Sequence, residues 1–216
     1  MSFSDIKERE KEEKRNVIID AAEKLFFEKG FDNVAMEDIA KAVGVNRATL
    51  YLYFKNKESM YFAVVLRGVR IMNESFRKAA DSKTIGIDKL EAIGLANFEF
   101  TKRYGDYNKL LTYFGSGRFG VEYNDDAKAV HRLLHQTQDI MRQAIEAGMK
   151  DGTIRNDIDP TVLTIFLISV SESIMGLRPA MKKRLEEHGV GYDQYMRDAI
   201  RLLGYSMVGP SLLNNR

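Results

Sequence analysis

Apolar positions recur every three or four residues along most of the chain, the period of an amphipathic helix. Ile18, Ala21, Ala22, Leu25 and Phe26 make the first such stripe. The dozen residues before it alternate Lys/Arg with Glu and read as a solvated extension of that helix or a frayed tail. Gly30 stands where a left-handed cap is wanted, and Phe31 can fold back on the core. A short helix is expected over Met36–Val43, with Ile39, Ala40 and Val43 inward and Gly44 ending it. Asn46 is a natural N-cap for a helix from Arg47 to Phe54. Asn56 can cap the next, which starts at Lys57, gains from Glu58 in its first turn, and runs to about Ala80. Further helices are expected at Ile87–Tyr104, Tyr107–Phe114, Tyr123–Lys150, Pro160–Glu187 and Tyr192–Val208. Breaks fall at Gly115–Gly120, at Asp151-Gly152, before Pro160 and at Gly189–Gly191. The pattern specifies an all-α chain without a fixed-period repeat.

Composition sharpens this. The 216 residues contain three prolines, none before Pro160, so helix breakers are scarce. There is no cysteine, which excludes a disulfide scaffold, a Cys-ligated zinc, an iron–sulfur cluster and a cysteine nucleophile. Apolar residues make up 44% and charged residues 30%, ordinary for a globular protein. The N-terminal residues lack the apolar core of a signal peptide. The most apolar run, Val162–Val170, is shorter than the roughly 20 residues a membrane helix needs. A cytoplasmic protein with no membrane partner is expected.

Net charge is +2, too balanced to argue for nucleic acid by itself. Its distribution is more telling. Residues 1–60 carry 11 basic and 12 acidic side chains, yet between Ile39 and Lys57 there are four basic residues (Lys41, Arg47, Lys55, Lys57) and no acidic one. That stretch reads as a helix–turn–helix. A small side chain is needed at Ala40, where the helices cross, Gly44 permits the tight turn, and Val45 and Leu50 plug the angle between the helices. Such a unit can lay its second helix in a DNA major groove.

These residues resemble the N-terminal domain of the TetR-type (tetracycline-repressor) family of transcriptional regulators. The resemblance is carried by Ile39-Ala40, Gly44-Val45, Thr49-Leu50-Tyr51, Tyr53-Phe54 and Lys57-Glu58, and upstream by Ala21-Ala22, Leu25-Phe26 and Gly30-Phe31. It covers about a quarter of the chain. It implies that Arg47 and Ala48 face base edges and that Thr49, Tyr51 and Tyr53 contact phosphates or bases. It also implies that Leu52 touches a thymine methyl and that Lys57 reaches a phosphate. Lys55 belongs to the same basic edge. Arg47 is the foremost candidate for base readout, because a guanidinium pairs bidentately with guanine. Ala35 stands where the family often has Thr, and Ala48 where Gly is common.

Other constellations carry less. Gly115-Ser-Gly-Arg-Phe-Gly120 matches a dinucleotide-loop pattern, but it follows a helical segment instead of a strand and reads as a linker. His131 and His135 are four apart without an evident third ligand, so neither a metal nor a cofactor is expected. No catalytic constellation emerges. Glu172 lies in an apolar helix, where it is either paired, at a wet edge, or a polar anchor in a ligand pocket. Eight of the 22 aromatic residues fall between Phe98 and Tyr123. Either a bundle core or an effector cavity would use them, and Phe98, Tyr113, Phe114, His135 and Glu172 are the candidate ligand contacts. The last two expected helices are apolar more than half way round and need cover on two sides. Self-association supplies it, and the resemblance implies the same two-fold dimer, with Phe166, Val170, Ile174, Leu203 and Met207 as interface candidates.

The expectation is therefore an all-α homodimeric regulator. Residues 1–55 would form the DNA-binding domain and residues 56–216 the regulatory and dimerisation domain. In the mechanism the resemblance implies, a small-molecule effector binds the second domain, the helix from Lys57 swings, and the protein leaves a palindromic operator in double-stranded DNA. The alternatives are a DNA-binding module with no small ligand, controlled by a protein partner, and a helical enzyme or carrier whose helix–turn–helix is incidental.

Overall fold

The structure, a computed structural model, describes residues 3–119 and 125–209. Gly120 and Tyr123, and with Tyr123 the expected start of its helix, lie outside the described residues. Among these there are ten helices: α1 (Phe3–Lys29), α2 (Met36–Val43), α3 (Arg47–Tyr51), α4 (Lys57–Asp81), α5 (Gly86–Arg103), α6 (Gly105–Gly115), α7 (Asp125–Asp151), α8 (Pro160–Met175), α9 (Pro179–Glu187) and α10 (Tyr192–Met207). The extended backbone is limited, among the described residues, to one isolated antiparallel bridge, Ile154 with Val208. No single helix described is long and apolar enough to cross a membrane.

One expected helix is two. The apolar run from Pro160 was read through to Glu187, but the chain turns by 69° between α8 and α9. Pro179 has no N–H to continue α8 and is well placed in the first turn of a new helix. Upstream, α3 is shorter than expected: it ends at Tyr51, and Phe54 reaches the core through a turn in which the Tyr53 and Phe54 N–H groups both donate to Leu50.

The helices form two compact units, Met1–Arg70 with Gly105–Leu133, and Ile71–Tyr104 with Leu134–Arg216. This division by packing differs from the division by role at residue 55. The first unit keeps the start of α4 because α4 does not break there, and it recovers α6 from further along the chain. Tyr61 of α4, fully buried, donates its hydroxyl to the Leu110 carbonyl of α6 at 2.6 Å. Tyr107 of α6 lies against Gly68, where a Cβ would come within 2.7 Å of its ring, and donates to Glu23 of α1 at 2.6 Å. Glu23 and Asp20 also hold Arg67 of α4. The core of this unit is a cluster of rings: Phe26, Phe31, Tyr61, Phe62, Phe114 and Phe119 are all buried.

The core cluster of the second unit is mostly aliphatic and methionine side chains. Phe76, Leu90, Ile93, Ile140, Met141, Ile145, Leu163, Leu167 and Met207 share one core. Asn73 and Thr137, both buried, satisfy each other at 2.9 Å. The start of α5 meets α7 backbone to backbone: a Cβ on Gly86 would sit 2.1 Å from the Cα of Gly148. The Gly86 N–H, without a partner in its own helix, donates to Asp151 at 2.7 Å.

Candidate nucleic-acid interface

The turn between α2 and α3 is set by Gly44, whose φ of +78° lies in the left-handed region, and by Val45, whose N–H returns to the Ala40 carbonyl at 3.0 Å. Ile39, Ala40 and Leu50 are buried and lock the two helices together. Asn46 begins α3 as expected. Its side-chain oxygen accepts from the Thr49 N–H at 2.8 Å and from the Thr49 hydroxyl at 2.9 Å. At the start of α2, Ala35 offers no side-chain cap. Half of a capping box survives, because the Asp38 carboxylate accepts from the Ala35 N–H at 2.8 Å.

With Leu50 inward, the other face of α3 is open. Arg47, Ala48, Tyr51, Leu52 and Lys55 are all exposed, and Leu52 is 74% exposed, unusual for a leucine with no partner to cover it. Thr49 is half-buried and committed to its cap. Tyr53 is half-buried beside α1, where it and Leu52 border a polar groove with Glu8, Lys11, Glu12 and Arg15. Lys57 is placed differently from the phosphate contact expected of it. It is half-buried, donates to the Phe31 carbonyl at 2.8 Å, and sits 4.2 Å from the centroid of the Phe31 ring. It fastens the start of α4 to the end of α1.

Arg47 is held from two sides. Its Nε and one terminal nitrogen donate to the Tyr51 hydroxyl at 3.1 and 2.8 Å, and its other terminal nitrogen donates to Glu37 of α2. Hydrogen bonding to Tyr51, then the Glu37 charge, raise its pKa further above the ordinary guanidinium value. Glu37 has no place in the expected interface. Its only signal in the sequence is that it stands just before the acid-free run.

The family model for bacterial regulatory proteins of the tetR family matches residues 18–64, the stretch from the α1 core stripe to the first turns of α4. The tetR family of transcriptional regulators is thus the family that this chain resembles. The transcriptional repressor KstR2 of Rhodococcus jostii is 29% identical over 157 residues, covering 71% of this chain and 74% of the relative. The regulator SrpR of Pseudomonas putida is 27% identical, covering 64% of each. A TetR/AcrR-family regulator from Thermobifida fusca superposes with a TM-score of 0.69 at 25% identity, over 89% of this chain and 97% of that one. AibR, solved with isovaleryl coenzyme A and operator DNA, shares the fold with a TM-score of 0.68 at 18% identity, over 88% and 97% of the two chains.

The residues expected to line an effector pocket are divided between the two units. Tyr113 and Phe114 belong to the ring cluster of the first unit; Tyr113 donates to Asp32, which Arg118 also pairs. Phe98 is buried in the second unit, 6.3 Å from the Tyr192 ring. His135 and Glu172 are exposed, so Glu172 takes the wet-edge position and needs no buried partner. The second unit has instead a small apolar groove of about 50 Å³, whose walls include Leu90, Gly94, Met141, Leu167, Met175 and Ile200. Sequence periodicity gave no sign of it, because it depends on how α5, α7, α8 and α10 meet.

The dimer candidates also divide. Met207 is buried in the core of the second unit and Leu203, half-buried, packs against it. Val170 and Ile174 are half-buried. Phe166 is exposed, as are Val162 and Ile165 on α8 and Leu202 and Tyr205 on α10.

Proposed function

We propose that this regulator is a homodimeric repressor that reads a near-palindromic operator through α3. One observation carries the reading: an Asn46-capped α3 exposes Arg47, Ala48 and Tyr51, and the turn after it exposes Leu52 and Lys55, all within a stretch without acidic residues. Each has a chemistry for DNA. Arg47 can donate to guanine, Tyr51 and Lys55 to phosphate, and the bare Leu52 can cover a thymine methyl. Thr49 and Tyr53 contribute at the margins. Lys57 acts by holding α4 in place.

The dimer rests on the exposed apolar faces of α8 and α10. Val162, Ile165 and Phe166 are spaced at three and four residues, as are Leu202 and Tyr205 across theirs, so each helix offers a stripe. A second copy covers such stripes by self-complementary packing. Two α3 helices about 34–36 Å apart would then meet successive major grooves on one face of the duplex. Ile165→Asp should give a folded monomer in sedimentation with operator affinity sharply reduced.

Control by a small effector is suggested by AibR, a protein of the same fold that was solved with isovaleryl coenzyme A and operator DNA. α4 and α7 each run unbroken from one unit into the other and could carry the change. The second reading, a regulator without a small ligand, is favoured by the groove itself. A cavity of about 50 Å³ has room for a water or two, against the several hundred Å³ a metabolite fills. An effector would have to bind an opened state preferentially, since equal affinity for both states shifts nothing.

The test is selection from a library of random duplexes, followed by titration of the recovered site across a salt series, with and without acyl-coenzyme A thioesters. A two-fold-symmetric site with a steep salt dependence supports the regulator. Thioester-driven release supports the effector reading. Failure to select any site would overturn the assignment of the interface to α3.

A further inference from the structure

Glu37 is an acidic side chain at the edge of the surface assigned to DNA, where it would face phosphates. Its neighbour Asp38 is explained by the α2 cap. Glu37 caps nothing; it pairs with Arg47 across the turn, both side chains more than half exposed. Exposed pairs of this kind add little stability. What the pair does is geometric. A guanidinium has five N–H donors. Tyr51 takes two, on Nε and one terminal nitrogen, and Glu37 takes one on the other terminal nitrogen. One N–H remains on each terminal nitrogen, and donors of this kind pair with O6 and N7 of guanine. The guanidinium is also gripped from two helices, by Tyr51 one turn along α3 and by Glu37 on α2, so its plane is set before DNA arrives.

We infer that Glu37 is a specificity-determining positioning residue, which with Tyr51 orients Arg47 so that one symmetric pair of operator base pairs is read. This rests on the reading of α3 as the base-contacting helix, and the experiment separates the two. Glu37 also disfavours unspecific binding, because its charge opposes phosphates in any register where Arg47 finds no base to pair with.

The probe is the duplex recovered from random selection, together with its single-pair variants. Binding is measured for the wild type, Arg47→Ala, Glu37→Ala, Glu37→Gln and the Arg47/Glu37 double alanine variant. Arg47→Ala should reduce discrimination at one symmetric base-pair position roughly 5- to 100-fold. Glu37→Ala and Glu37→Gln should each reduce discrimination at that same position about 3- to 10-fold, leave the other positions as they were, and raise affinity for random duplex. In the double variant, loss of Glu37 should add nothing at that position. Far-UV spectra and melting temperatures confirm that the exposed substitutions leave the helices formed.

Wild-type discrimination in Glu37→Ala overturns the inference. So does a loss spread evenly over all positions, which would mean a structural role. An additional loss in the double variant also overturns it, because Glu37 would then read a base itself. If Arg47→Ala leaves every position unchanged, the assignment of Arg47 as the reader fails first, and the role of Glu37 fails with it.

Discussion

The two compact units are held together by different means. The first is a cluster of rings, with centroids from 4.8 to 6.3 Å apart, and its hydroxyls are tied at the seams: Tyr61 to Leu110, Tyr107 to Glu23, Tyr113 to Asp32. The second is aliphatic, keeps a small groove beside Met141 and Met175, and leaves two apolar stripes uncovered. Rigid rings with anchored oxygens have few alternative packings. Leucine and methionine side chains repack at low cost. Under the proposed function, the unit that would hold a base-reading geometry is the stiff one, and the unit that would change state, or bury a second copy of itself, is the adaptable one.

Substitutions test that contrast most strongly in the cores. Phe62→Ala, at the centre of the ring cluster, should cost about 3–5 kcal/mol in urea denaturation. Met175→Ala, half-buried beside a groove already partly empty, should cost roughly 1 kcal/mol. Equal losses would erase the distinction between the units.

Two glycines separate crowding from backbone conformation. Gly86 is needed for space, since its Cβ would collide with the α7 backbone. Gly44 has open space around it but a φ of +78°. Gly86→Ala should cost about 1–3 kcal/mol or more by overpacking, and Gly86→Asn no less. Gly44→Ala should cost about 1–2 kcal/mol, and Gly44→Asn clearly less, because asparagine tolerates the left-handed region. Melting curves showing asparagine equally harmful at both sites would refute this account of Gly44.

The caps come next. Asn46→Ala removes two hydrogen bonds at the start of α3 and should cost about 1 kcal/mol and weaken operator binding, as read by thermal melts and titration. Ala35→Ser supplies the missing half of the α2 capping box and should stabilise by about 0.5–1 kcal/mol. A destabilised Ala35→Ser would show that the surviving Asp38 bond already saturates that end.

The smallest effect is on pH. The Thr161 N–H holds the Asp159 carboxyl, at the start of α8, below its usual 3.8. Its stabilising contribution is full above that unfolded-state value and is lost as pH falls through the lower folded value. Asp159→Asn, which keeps an acceptor without the charge, should flatten that part of the acid unfolding curve.

Much of the reading head was legible in the sequence because its determinants are local. Gly44 ends α2, Asn46 starts α3, and Leu50 turns inward by helical period alone. Local logic gave no sign of the Lys57 bond to the Phe31 carbonyl, which lies 26 residues away. It missed Glu37 for the same reason, since the contact with Arg47 spans ten residues and a turn. In the second unit the last apolar run was read as one helix, although Pro179 marked the break. Periodicity found the apolar faces of α8 and α10 without assigning their sides: Met207 and Leu203 went to the core, while Ile165 and Leu202, 60% and 68% exposed, went outward.

The sequence by itself determined what depends on neighbours along the chain: helix positions, caps, the tight turn at Gly44, the acid-free basic edge and the motif they compose. Tertiary structure decided what depends on distant partners. It placed Tyr113 and Phe114 in the ring cluster of the first unit, left a groove of about 50 Å³ in the second, and set the Glu37 grip on Arg47. The physical reason is one of range. Backbone conformation and capping are settled within a turn or two of helix, whereas burial and side-chain pairing are settled by whichever element happens to pack opposite.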